Sequence, residues 1–170
     1  MVEKIYDTSF DNANGERPYM IFPKVYNDNR GSFSEVLTGD DASWIKQINR
    51  SISIGGTIRG CHAQKGKSCQ GKLVEAINAK IYDIIIDARP DSKTFGTSKI
   101  YILDSAIQNK LWIPKGFLHS FIVPKQFSNA IFQYFCDNLY DNKSELCINP
   151  LTILPNIINL YKSNNILENI

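Results

Sequence analysis

The sequence holds two histidines, and each stands in a stretch whose residue types could do chemistry. His62 lies in Gly55-Gly56-Thr57-Ile58-Arg59-Gly60-Cys61-His62-Ala63-Gln64. His119 follows Trp112-Ile113-Pro114-Lys115-Gly116-Phe117-Leu118, where Pro-x-Gly turns the chain into a strand. A histidine taken alone is ordinarily a hydrogen-bonded, semi-buried residue. The cations Arg59, Lys65 and Lys72 around His62 change that expectation, because a barrel would converge them on one cavity. Gln64 occupies the second position of what would otherwise be an H-x-H pair, and two histidines alone make a poor zinc or iron set. The reading is therefore of a site with neither metal nor cofactor. A base (His62), cations (Arg59, Lys72) and phenols (Tyr134, Tyr140) suit removal of a proton next to a carbonyl. The base takes the carbon-bound proton, a cation holds the enolate oxygen, and a phenol returns a proton on the other face.

The elements that must position these groups read as strands. Runs rich in Ile, Val, Tyr and Phe recur at Tyr19–Tyr26, Gln47–Ile54, Gly71–Ile77, Lys80–Ala88, Thr97–Leu103, Asn109–Pro114, Leu118–Val123 and Ala130–Asp137. Gly55-Gly56, Asn78 and Pro90-Asp91 punctuate them, the pattern of a sandwich or barrel. In Ile81-Tyr82-Asp83-Ile84-Ile85-Ile86, period-2 alternation puts Ile81, Asp83 and Ile85 on one face and Tyr82, Ile84 and Ile86 on the other. Apolar residues on both faces predict a strand covered on both sides, with Asp83 toward a polar cavity. Helix signals are confined to Asp40–Ile45 and a short piece near the C-terminus.

Bulk properties narrow the classes. The 170 residues suit one domain, 1–170, and 43% hydrophobic with 21% charged residues is an ordinary globular composition. A net charge of +2 with interspersed signs argues against a nucleic-acid or membrane surface as partner. The start, MVEKIYDTSFDN, lacks an apolar signal core, and the four cysteines (Cys61, Cys69, Cys136, Cys147) form no C-x-x-C pair. The expectation is a cytoplasmic protein with reduced thiols.

Five separated motifs resemble the dTDP-4-dehydrorhamnose 3,5-epimerase family. Asp28-Asn29-Arg30-Gly31-Ser32-Phe33-Ser34-Glu35 resembles D-x-R-G-x-F-x-E, and Gln47-Ile48-Asn49 through Arg59-Gly60-Cys61-His62 resembles Q-x-N…L-R-G-L-H. Gln70-Gly71-Lys72-Leu73-Val74 resembles Q-x-K-L-V, and Asp87 through Gly96 resembles D-x-R-x-x-S-x-T-F-G. Leu111-Trp112-Ile113-Pro114 to His119-Ser120-Phe121 resembles L-W-I-P-x-G-F-x-H-G-F.

The resemblance implies an all-β, double-stranded β-helix (cupin jelly roll) with short peripheral helices. It also implies a homodimer whose subunits share their sites, and a nucleotide-diphospho-sugar substrate, dTDP-linked, for surface polysaccharide synthesis. It carries the base to His62 and the proton donor to Tyr134, with Lys72 and Arg59 on the C4 oxygen. Contacts to sugar or nucleotide fall on Arg30, Glu35, Gln47, Asn49, His119 and Glu145. Three departures stand out: Ala63 beside the base where the family has an aromatic, Leu146-Cys147-Ile148-Asn149-Pro150 without the tryptophan of the family's I-x-W-x-D-P, and Asn164 where it has the aspartate paired with the base. An amide supports an imidazolium poorly, so either Asp83 serves as the substitute acid beside His62, the favoured expectation, or the activity is weakened, narrowed or altered. A 3,4-ketoisomerase of the same fold, echoed in Arg59-Gly60-Cys61-His62-Ala63-Gln64-Lys65, and a non-catalytic sugar-nucleotide binding module are the alternatives.

Overall fold

The computed structural model describes residues 3–150 with 152, 153 and 155, and thirteen strands form among them. They are β1 (Glu3–Tyr6), β2 (Tyr19–Phe22), β3 (Val25–Asp28), β4 (Gly31–Ser34), β5 (Gln47–Ile54), β6 (Ile58–Gln64), β7 (Lys72–Ala76), β8 (Lys80–Asp87), β9 (Ser98–Asp104), β10 (Lys110–Ile113), β11 (Phe117–Ile122), β12 (Asn129–Cys136) and β13 (Glu145–Cys147). Two antiparallel sheets face each other, ordered β1-β2-β10-β7-β12-β5 and β13-β6-β11-β8-β9, and β3-β4 stands apart as a hairpin. This is the cupin jelly roll.

The run at Tyr19–Tyr26 divides at Pro23, which has no N–H to give a ladder. Asp40–Ile45 forms only a 3-10 turn at Gly39–Ala42, and of the expected C-terminal helical piece the described residues 150, 152, 153 and 155 are helical. No helix among the described residues is long and apolar enough to cross a membrane.

The alternation expected in β8 sets the layers. Ile81 and Ile85 point between the sheets and pack with Val74, Leu103, Phe117, Phe121 and Phe132. Tyr82, Ile84 and Ile86 pack on the opposite face with Cys61, Ile100, Leu118 and Ile122, under Ile148 and Ile153. Core filling of this kind is worth roughly 1.5–3 kcal/mol per fully buried large apolar side chain.

The motif from Asp87 to Gly96 is a clamp on the chain's own N-terminal segment. Asp87, fully buried, accepts from Arg89 (Nε 2.9 Å, Nη2 2.8 Å), Ser92 Oγ (2.6 Å) and Thr94 Oγ1 (2.7 Å). Arg89 reaches on to the carbonyls of Asp11, Ala13 and Glu16, and its guanidinium lies 4.6 Å from the centroid of the Phe117 ring. Burial raises the Asp87 carboxyl, but its bonds to Arg89, Ser92 and Thr94 outweigh this and hold it at about 2.

Candidate active site

Arg59 and His62 are three residues apart, so a regular strand would send them to opposite faces. In β6 they share one. His62 is opposite His119 and Gly60 opposite Ser120, which leaves Cys61 as an extra residue, a β-bulge that shifts the register. Arg59 is then opposite Phe121, whose ring lies between the sheets, while Cys61 turns outward and is fully buried there. Gly60 permits this approach. Its φ is +100°, and a Cβ there would meet the carbonyl oxygen of His119 at 2.4 Å.

From the facing sheet, β7 presents Lys72 and β12 presents Tyr134, whose cross-strand partners are Val74 and Asn49. His62, Lys72, Tyr134, Asn49 and Glu145 line one pocket of about 140 Å³, with Tyr140, Gln64, Gln70 and Ala63 at its wall. Gln47 works from behind: its Nε2 donates to Asn49 Oδ1 (2.9 Å), and its Oε1 accepts from the Tyr140 backbone N–H (2.8 Å). Glu145 Oε2 accepts from the Tyr140 hydroxyl at 3.1 Å. Arg59 is tied across to β5 through Ser53 Oγ (2.8 Å).

Burial dominates the electrostatics. It pushes the His62 imidazole down to about 4, helped by the charges of Lys72 and His119. It also lowers Lys72, against Cys136, Asp83, Glu145 and Cys69, which pull the ammonium upward. Burial raises the Tyr134 phenol, and so does Cys136, while Arg59 opposes them. A neutral imidazole, a sequestered amine and a protonated phenol thus meet in one hollow. That set can take, hold and return a proton at carbon.

The expected place of Asp83 is corrected. Its Oδ2 lies 2.7 Å from Nε2 of His119, not against His62. β11 runs between β8 and β6, so a carboxylate on β8 reaches the neighbouring strand's histidine and stops there. The rings of His119 and His62 are 6.2 Å apart, edge to face. Among the described residues no carboxylate is hydrogen-bonded to His62, and Asn164 lies outside them. Arg30 and Glu35 are not brought to this pocket within the chain. Arg30 is exposed on the β3-β4 hairpin and paired with Asp28 (2.7 Å), and Glu35 lines a separate hollow under Trp44 and Trp112.

Sequence reasoning missed what holds the rim. Gln64 Oε1 accepts from Asp141 N–H (3.0 Å), and Gln70 Nε2 donates to the Asn138 carbonyl (2.8 Å), seating the loop that carries Tyr140. The signal for Gln70 is its place in Gln70-Gly71-Lys72, two residues before the pocket lysine.

Comparison with known proteins settles the relationship. The profile described as dTDP-4-dehydrorhamnose 3,5-epimerase matches residues 16–157. The Escherichia coli K12 enzyme of that name is 35% identical over 134 residues, 74% of this chain and 71% of that protein. The chain belongs to the dTDP-4-dehydrorhamnose 3,5-epimerase family.

Solved structures of the family agree with that assignment. The Bacillus anthracis epimerase, with TDP and pyrophosphate bound, superposes with TM-score 0.77 at 31% identity, over 87% of this chain and 84% of that one. The Legionella pneumophila 3,5-epimerase, in complex with dTDP-4-keto-L-rhamnose, gives 0.77 at 32%, over 89% and 79%. This chain is thus an isomerase of the 3,5-epimerase type. Cys147 on β13 stands directly opposite His62.

Proposed function

We propose that this epimerase acts on a dTDP-linked 4-keto-6-deoxyhexose, with His62 as the base and Tyr134 as the proton donor. The observation that carries this reading is the meeting of His62, Lys72 and Tyr134 in one pocket with His62 held neutral. The C4 ketone acidifies the hydrogens on C3 and C5. His62 takes one of these as a proton, the bonding pair moves into the ring, and the C4 oxygen becomes an enolate held by Lys72, with Arg59 beyond. When the enolate collapses, the Tyr134 hydroxyl gives its proton to the opposite face of the same carbon, inverting it. The imidazolium then loses its proton to solvent and the phenolate regains one.

A pocket of about 140 Å³ is small beside the roughly 300–1,000 Å³ usual for whole ligands. It suits the sugar ring, with the nucleoside diphosphate crossing the rim near Asn49, Gln47 and Glu145, and His119 behind His62, edge to face with it. Arg30 and Glu35 contribute from a second copy. The surface supports a homodimer: edge strand β5 exposes Ile48, Ile52 and Ile54, the last at 72%. The setting is cytoplasmic, one step of deoxysugar synthesis for surface polysaccharide.

Incubation with dTDP-4-keto-6-deoxyglucose in deuterated water tests the reading. One deuterium at each inverted carbon, C3, C5 or both, is expected. A keto group moved to C3 would instead mean a ketoisomerase, and an unchanged sugar a binding module.

A further inference from the structure

Lys72 opens β7, and among the described residues no hydrogen bond or ion pair holds its ammonium. Where the amine lies in the pocket therefore depends on how the chain enters that strand. The last ladder pair between β7 and β12 is Lys72 with Cys136. One step beyond it, Asp137 takes over from the ladder. Its backbone N–H donates to the Gly71 carbonyl (3.1 Å), and its Oδ1 accepts from the Gly71 N–H (2.9 Å). The other oxygen, Oδ2, is paired at 3.1 Å with Lys115 Nζ, which comes from the turn between β10 and β11. The fit is close: a Cβ on Gly71 would meet the Trp112 ring at 2.9 Å and Asp137 Oδ2 at 3.0 Å.

We propose that Asp137 is a positioning residue, which grips the N–H and the carbonyl of Gly71 and so aims the next residue, Lys72, at the enolate oxygen. A carboxylate accepting from a backbone N–H makes a charge-assisted bond, stronger than the ladder bond it replaces. The Lys115 side chain is 48% exposed against 18% for Asp137, so water screens that pair. Its part is to keep the carboxylate turned toward Gly71.

The rim of the pocket is held separately. Gln47, Gln64 and Gln70 bond the loop of Tyr140, and Asn138 Nδ2 donates to the Lys67 carbonyl at 2.8 Å. Loss of the Asp137 carboxylate leaves those contacts in place, so the substrate still binds while Lys72 is misplaced. A displacement of about 1 Å at a reacting group costs roughly a hundredfold in rate.

The inference rests on the proposed use of Lys72, and a double-mutant cycle tells the two apart. Deuterium incorporation gives kcat and KM for the full chain, for Asp137→Ala and Asp137→Asn, for Lys72→Met, and for Lys72→Met with Asp137→Ala. Asp137→Ala should lower kcat roughly tenfold or more, with KM changed less than about threefold. Asp137→Asn keeps an acceptor for the Gly71 N–H and should stay within about threefold of the wild type. In the Lys72→Met background Asp137→Ala should cost less than about twofold, because a residue acting through Lys72 has nothing left to aim. A merely structural carboxylate would lower Tm and cost the same factor in both backgrounds. The proposal is overturned by a wild-type kcat in Asp137→Ala, by an Asn variant as impaired as the Ala one, or by equal losses in the two backgrounds. Lys72→Met that turns over like the wild type refutes the use of Lys72, and the role of Asp137 falls with it. Should Asp137→Ala fail to fold, Asp137→Glu, which keeps the charge but moves the oxygens one carbon further out, takes its place in the same cycle with the same outcomes deciding.

Discussion

Acidification tests the neutral base most directly. An ordinary histidine titrates near 6.5, and burial, followed by the charges of Lys72 and His119, brings His62 to about 4. At pH 5.5 an imidazole of that kind is about 97% neutral, whereas one titrating at 6.5 is about 9% neutral, a tenfold difference in competent enzyme. Deuterium incorporation under kcat/KM conditions, followed from pH 4 to 8, should therefore stay level to about pH 5 and fall one decade per unit below 4. The same shift is a stability statement. Below pH 6.5 the unfolded chain takes up the proton first, so the folded state loses up to about 3 kcal/mol by pH 4, less where solvent at the pocket mouth screens the ring. Lys72→Met should move the acid limb upward, because a repelling charge is gone, while cutting turnover through loss of the enolate's cation. An acid limb at 6.5 in the wild type, with the fold intact by circular dichroism, would refute the buried neutral base.

Tyr134→Phe should leave exchange with retained configuration and abolish inversion, read by NMR of the sugar; full inversion would pass the donor's role to Tyr140. Arg89→Ala strands Asp87 in the clamp, and the loss should be about 3–5 kcal/mol, lowering Tm by roughly 10 °C with little change in KM. Because the Asp87 carboxyl sits at about 2, its stabilisation is complete above the unfolded value near 4 and disappears as pH falls toward 2. Ile52→Lys should shift the protein toward monomer in light scattering and, if the sites are shared, raise KM as well. If Asn164 stands where the resemblance puts the aspartate paired with the base, Asn164→Asp should raise the acid limb of the pH profile, with a gain of roughly ten- to a hundredfold in exchange at neutral pH.

What the sequence by itself determined was the strand content, the layering and the chemistry-bearing residue types. Seven of its eight strand runs are each one strand here, and the eighth divides at Pro23, because period-2 apolar patterning acts locally and survives in any sheet that covers both faces. β8 is the clearest case: its alternation already separated Asp83 from Tyr82, Ile84 and Ile86. The strand carrying the base was not visible in that way. Ile58–Gln64 is glycine-containing and polar, and it is a strand because β11 and β13 complete its backbone hydrogen bonds from either side. Nor does spacing show that Arg59 and His62 share a face, since the extra residue at Cys61 becomes a bulge only against the register of β11. The partner of Asp83 was decided the same way. A carboxylate's position along its strand is local information, but which histidine it reaches depends on strand order. That order, β6-β11-β8, puts His119 within hydrogen-bond reach and His62 one strand beyond it.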